Sequence, residues 1–145
     1  MPAIEKSIHI DAPPEDVFAY VADPENRPEF WPSLVEVRDV VPLESGGHKL
    51  IWVYNMAGIR AEGTGETIEH VPNDHTTDYN KGGLSSTFTY SVAPEDGGTR
   101  FTFQIDYDVH LPVFKKLASA FIVRVNEHEA DAIMASVKAK LETMA

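Results

Sequence analysis

From residue 4 to residue 10 the side chains alternate, with Ile4, Ile8 and Ile10 on one side and Glu5, Ser7 and His9 on the other. A period of two predicts a β-strand, with Lys6 as the one mismatch on its apolar face. Asp11-Ala12-Pro13-Pro14-Glu15-Asp16 then reads as a helix start, with prolines suited to the first turn and acids that complement the helix dipole. Val17, Phe18, Tyr20 and Val21 recur at helical spacing and carry a short helix to about Ala22. Asp23-Pro24-Glu25 repeats the start signal, opening a second short helix that Pro28 shortens and Pro32 ends.

From Leu34 to about His110 the pattern is that of strands separated by turns. Val35, Val37 and Val40-Val41 predict one strand. Leu50, Trp52, Tyr54 and Met56 alternate with Lys49, Ile51, Val53 and Asn55 in the next, whose two partly apolar faces predict cover on more than one side. Further strands are predicted over Ile59 to Val71, His75 to Asn80, around Phe88, Tyr90 and Val92, and from Phe101 to Val109. Glycine pairs and Pro-Asn-Asp clusters between them predict hairpins in sequence, hence an antiparallel meander. Within the long strand, Gly63 and Gly65 predict a bulge or bend. Arg60, Glu62, Thr64, Glu66 and Ile68 share one of its faces and are expected in water; an inward-facing set would instead make a polar patch.

After Pro112 the period becomes helical to the end of the chain. Phe114, Leu117, Phe121, Val125, His128 and Ala132 form one stripe, and Ile122, Ile133, Val137 and Leu141 an adjacent one. A helix of about 27 residues would be about 40 Å long, enough to cross a sheet. One strand, two short helices, several strands and a long helix predict an α+β fold in which one curved sheet grips one helix, the 145 residues forming a single domain, 1–145.

Pro14-Glu15-Asp16-Val17-Phe18, Val21-Ala22-Asp23, Phe30-Trp31-Pro32, Val35 and Val37 resemble the opening of the START/Bet v 1-like (SRPBCC) superfamily. Within it, the chain is similar to bacterial polyketide cyclase/dehydrase-like proteins. The closing Val137-Lys138-Ala139-Lys140-Leu141-Glu142 extends the likeness over essentially the whole chain. The resemblance implies a helix-grip fold, about seven antiparallel strands curved around the C-terminal helix and enclosing a cavity. Members bind lipids, polyketides or other apolar molecules, and some catalyse cyclisation or dehydration. These motifs pack and cap, so they specify a fold and leave its use open.

Charge and composition narrow that use. Lys plus Arg is 12 against 23 Asp plus Glu, a formal net charge of -11, which disfavours nucleic acid and anionic lipid. The absence of cysteine removes disulfides, thiolate metal sites and a Cys nucleophile. No apolar run reaches 18 residues and no leader-like segment opens the chain, so a cytoplasmic protein without integral membrane association is expected. Gly63-Thr64-Gly65-Glu66 lacks the third glycine and following helix of a dinucleotide site, and His128-Glu129 lacks the second histidine of a zinc motif. No metal or cofactor is expected.

The ligand-binding candidates are Trp52, Tyr54, Phe88, Tyr90, Phe101, Phe103 and Tyr107 on strands and Leu117, Phe121, Val125 and His128 on the helix. The same residue types line pockets and fill ordinary cores. Phe30 and Trp31 are expected at the cavity entrance, or plugging the open end of the sheet. His128, Tyr54 and Tyr107 are the candidates for moving protons. Binding of an apolar or aromatic, lipid- or polyketide-like molecule between sheet and helix ranks first, since no independent catalytic signature is present. At about 25 cal/mol per Å² of buried apolar area, burial would supply the affinity. A polyketide cyclase or dehydratase using the same cavity is the alternative. A protein-interaction module with a filled interior and an exposed aromatic patch is the third.

Overall fold

The computed structural model describes residues 3–56, 59–82, 84–109 and 115–144, and of residues 3, 56, 59, 61, 84, 107–109, 115–126 and 144 the backbone alone. Strand β1 (Ala3–Ile10) is followed by helix α1 (Pro14–Ala22) and a 3-10 turn, Pro24–Asn26, that runs into the one-turn helix α2 (Arg27–Phe30). Strands β2 (Leu34–Pro42), β3 (His48–Met56), β4 (Ile59–Val71), β5 (His75–Lys81), β6 (Leu84–Glu95) and β7 (Gly98–Val109) then precede helix α3 (Lys115–Met144). The sheet has seven strands in the order β1-β7-β6-β5-β4-β3-β2, every neighbouring pair antiparallel. The predicted α+β helix-grip architecture is what the chain adopts.

Alternation decides which side chains face the helices. Ile4 and Ile10 of β1, Leu50 and Trp52 of β3, Phe88, Tyr90 and Val92 of β6, and Phe101, Phe103 and Ile105 of β7 are all buried in one continuous core. On the other face of β4, Arg60, Glu62, Thr64, Glu66 and Ile68 are exposed, the solvated arrangement expected of them. On the outer face of β3 Val53 is fully buried, but Ile51 is only partly so and Lys49 and Asn55 are exposed, so the cover expected on both sides of this strand is confined to Val53.

The described part of α3 packs on β1 and β7 through Ala130, Ile133, Met134, Val137 and Leu141. His128 is exposed, which corrects the expectation that it faces the sheet. It precedes the buried Ala130 by two residues, and at about 100° per residue that turns it to the opposite side of the helix. The buried stripe is the Ile133-Val137-Leu141 one, joined by Glu129.

Gly63 and Gly65 are not the site of a bulge. The β3–β4 ladder runs unbroken from Lys49–Glu66 to Met56–Ile59, and the irregularity falls instead between Thr67 and Glu69 in the β4–β5 pairing. What these glycines provide is room. A Cβ at Gly63 would stand 2.2 Å from the Lys81 carbonyl oxygen and 2.3 Å from Trp52 Cζ2, and one at Gly82 2.7 Å from Trp52 Cη2. The indole of Trp52 lies against this glycine surface and donates from Nε1 to the Thr64 carbonyl oxygen at 3.1 Å.

Candidate functional site

The short helix α2 exists because Pro24 and Pro28 both suit first-turn positions while Asp23 accepts a hydrogen bond from the Glu25 amide. Its residues Arg27 and Phe30, and Trp31 just beyond it, turn inward and are buried at 6%, 1% and 3% exposure. Trp31 meets Tyr54, Phe88 and Phe103 edge-on, at ring-centroid separations of 6.0, 5.2 and 5.5 Å. Phe30 touches Tyr20 and Tyr90. Tyr90 in turn stacks on Phe101 and Phe103. Phe30 and Trp31 therefore form part of the interior, and neither is exposed to dock another protein.

The predicted ligand-binding aromatics Trp52, Phe88, Tyr90, Phe101 and Phe103 come together in this core, and Tyr54, partly buried, packs against it. Tyr107 lies on β7 and Leu117, Phe121 and Val125 on α3, their side chains outside what is described. His128 is on the solvent side of α3 and does not join the cluster.

Five polar residues that sequence patterning did not single out do join it. Arg27 lies inside with its guanidinium carbon 5.0 Å from the centre of the Phe88 ring, and donates from Nη2 to Asp78 Oδ2 at 3.1 Å. Asp78 is one of three consecutive inward side chains on β5, the middle strand of the sheet: Thr76, Asp78 and Asn80 are all buried. Nothing in an ordinary apolar core calls for a polar stripe there. Glu129, on α3, is 6% exposed and accepts the Ser33 amide hydrogen at Oε1, 2.9 Å away.

Arg27 Nε, Trp31 Nε1, Tyr90 Oη and Glu129 Oε2 are buried without a well-formed hydrogen bond among the described residues, although Trp31 lies within reach of Glu129 and Arg27 within reach of Tyr90. Buried polar groups in folded proteins are nearly always bonded, so a concentration of unbonded ones marks a place where bonding capacity is reserved. Burial pushes the Glu129 carboxyl above its ordinary range, with Ser33 and Trp31 pulling the other way. Burial also raises the Tyr54 phenol, helped by Glu129 and Tyr90 and opposed by Arg27. Tyr90 is raised by burial, with Arg27 opposing. Burial works against the Arg27 charge, and Tyr90 and Asp78 restore it. The cluster thus combines hydrogen-bond donors, a fixed cation and a carboxyl biased toward its neutral form, set among aromatic rings.

An open groove of about 500 Å³ lies on the other face of the sheet, lined by Lys49, Thr64, Glu66, Tyr79 and Lys81 among others. Its side chains are mostly exposed and it does not include the aromatic cluster. Among the described residues no group of three His, Cys, Asp or Glu side chains is placed to hold a metal, and no helix is long and apolar enough to cross a membrane.

Sequence signals for the missed residues differ. Glu129 sits four residues before Ile133, on the same helical stripe as Val137, so a carboxylate inside an apolar stripe was visible. β5 reads polar on both faces, and alternation alone cannot say which of them turns inward.

Residues 1–142 match the family described as polyketide cyclase / dehydrase and lipid transport. None of the curated proteins compared matches the chain in sequence. Among solved structures, a Thermus thermophilus protein superposes with a TM-score of 0.87 at 19% identity, covering 99% of both chains. A START superfamily protein from Mycobacterium smegmatis gives 0.82 at 15%, again over 99% of each. The Zhui aromatase/cyclase from a Streptomyces species gives 0.84 at 14%, over 97% of this chain and 93% of that one. At such identities the likeness is one of fold.

Proposed function

Because the chain belongs to the polyketide cyclase/dehydrase and lipid transport family, we propose that it binds an apolar or aromatic small molecule, lipid- or polyketide-like, between the sheet and α3. The rings of Trp31, Tyr54, Phe88 and Phe103 supply the apolar surface. The polar interior supplies orientation, with Arg27 Nε and Trp31 Nε1 as donors and Tyr90 Oη able to donate or accept. The observation that carries this reading is the set of buried polar atoms without a well-formed hydrogen bond at Arg27, Trp31, Tyr90 and Glu129 inside an aromatic core. A protein selected only to fold gains nothing from leaving them unbonded.

The experiment is native mass spectrometry of protein purified gently from its source cells, followed by extraction of whatever it retains. A stoichiometric apolar small molecule, or a thermal shift with members of a panel of planar phenols and fatty acids, is the expected result. Protein of bare chain mass that no member of the panel stabilises would overturn the proposal.

A second reading, catalysis of dehydration or cyclisation in the same space, is favoured by one pair. The Glu129 carboxyl, biased toward its protonated form, lies close enough to Tyr54 to raise that phenol. A neutral carboxyl can give its proton to a departing hydroxyl as the C–O bond breaks, leaving as water, while a base removes the α-proton. Turnover of a β-hydroxy ketone to the enone, abolished in Glu129→Gln, would place the protein in this class. Binding without turnover would leave it a carrier.

A further inference from the structure

The interior is closed on one side by the segment 30–33, and one side chain of α3 holds that segment in place. The Ser33 amide donates to Glu129 Oε1 at 2.9 Å, and Trp31, two residues earlier, fills the space between Tyr54, Phe88 and Phe103. Any molecule lodged among those rings must take up or displace the volume of this indole. Backbone ties of the segment are few: Trp31 N to Arg27 O at 3.0 Å, Leu34 N to Trp31 O at 3.1 Å, and Asn55 N to Ser33 O at 2.8 Å. It leads into β2, an edge strand whose pairing with β3 slips twice, between Leu34 and Glu36 and between Arg38 and Val41. Bulged edge strands are the part of a sheet least constrained by their neighbours, and local opening draws on such regions.

We propose that residues 30–33 form a strap over the interior, that Glu129 is its latch, and that deprotonation of Glu129 releases the strap and admits ligand. This is regulation of the site proposed above, and its consequence for ligands rests on that reading. In the closed arrangement the carboxyl has one bonded oxygen and one, Oε2, buried without a well-formed hydrogen bond among the described residues. A neutral carboxyl tolerates that position; a carboxylate is drawn toward water. The groups facing it do not reverse the preference. From the α2–β2 connection it meets the Ser33 amide and the Trp31 indole, both neutral donors. From β3 the Tyr54 phenol lies close enough to feel its charge, and the cation of the cluster, Arg27, is engaged by Asp78. Burial outweighs the two donors and raises the Glu129 pKa. Closure is therefore favoured fully at pH below the ordinary carboxylic acid range and weakens as pH climbs from there to the raised value of the closed form.

The test is amide and indole hydrogen exchange on the ligand-free protein, with each protection factor corrected for the intrinsic rate at that pH. Trp52, whose indole N–H is bonded to Thr64 on the far side of the core, is the internal control. The Ser33 amide and Trp31 indole protection should fall by up to about tenfold per pH unit across that window, the limit for one linked proton. Trp52 should keep its protection. Glu129→Gln, which retains an oxygen acceptor for Ser33, should make the Ser33 and Trp31 profiles flat. A flat wild-type profile, or an unchanged slope in Glu129→Gln, overturns the latch. Because no ligand is present, these outcomes stand apart from the ligand search. Failure of the binding reading appears there, with the exchange profile intact.

Discussion

Arg27 and Asp78, 51 residues apart in sequence, meet at 3.1 Å with both side chains only 7% exposed. One comes from a one-turn helix and the other from the central strand of the sheet, so the pair pins α2 across the interior. A buried ion pair seldom stabilises a fold relative to a well-packed apolar substitute, yet leaving either partner alone is expensive.

Arg27→Met or Asp78→Leu alone should therefore destabilise the protein by about 3–5 kcal/mol, whereas the double substitution should lie near wild type. Urea unfolding of the four proteins checks this. Singles as stable as wild type would mean that the pair is not buried as described.

Tyr90→Phe removes a hydroxyl that is buried and has no well-formed hydrogen bond among the described residues. Stability should stay level or rise by about 1 kcal/mol, since no bond is broken and one desolvated group disappears. Retention of the ligand should weaken by about tenfold if the hydroxyl contributes one good hydrogen bond to it. Parallel thermal melts and ligand titrations separate the two effects.

Gly63→Ala places a methyl group against the Lys81 carbonyl oxygen and the Trp52 ring. Overpacking of this kind costs about 1–3 kcal/mol. Replacing Trp52 as well with Phe should recover only part of the loss, because the backbone contact with Lys81 persists. Denaturant midpoints of the two variants test the order.

His75 Nδ1 lies 2.5 Å from Asp74 Oδ2 and Nε2 2.6 Å from Glu69 Oε1. The hydrogen bonds to Asp74 and then Glu69 raise its pKa. The raised pKa means this contribution is complete below the ordinary histidine value of about 6.5 and fades as pH rises through the elevated one. The melting temperature should fall slightly across that interval, and His75→Gln should remove the dependence. The ring is partly exposed and both carboxylates are exposed, so salt should diminish the effect.

Much of this architecture was legible in the chain because period-two and period-3.6 patterns encode burial directly. The limits of β3 and β4, and the inward set Trp52, Phe88, Tyr90, Phe101 and Phe103, follow from alternation and turn residues alone. Less legible was the polar interior. Arg27 and Asp78 are each unremarkable on a surface, and only the fold makes them a pair. A stripe through Phe121 and Val125 carries His128 toward the sheet, whereas the adjacent stripe of Ile133, Val137 and Leu141, extended one turn back, arrives at Glu129. The glycines of β4 signal a bulge that the register lacks, and the room they leave for Trp52 is visible only once that indole is known to cross from the neighbouring strand.

The pairing of β1 with β7 carries a consequence for how the molecule is made. Ile4 lies opposite Ile105 and Ile10 opposite Thr99, so a strand near one end of the sequence finds its partner near the other. On the ribosome β1 emerges long before β7, and its isoleucines have no native strand to meet until every hairpin from β2 to β7 has been synthesised. The meander can zip locally, but closure of that last ladder must await the long-range contact, whose entropic cost slows folding. Until then Ile4 and Ile10 lack the strand they pair with, and that apolar surface is open to other chains.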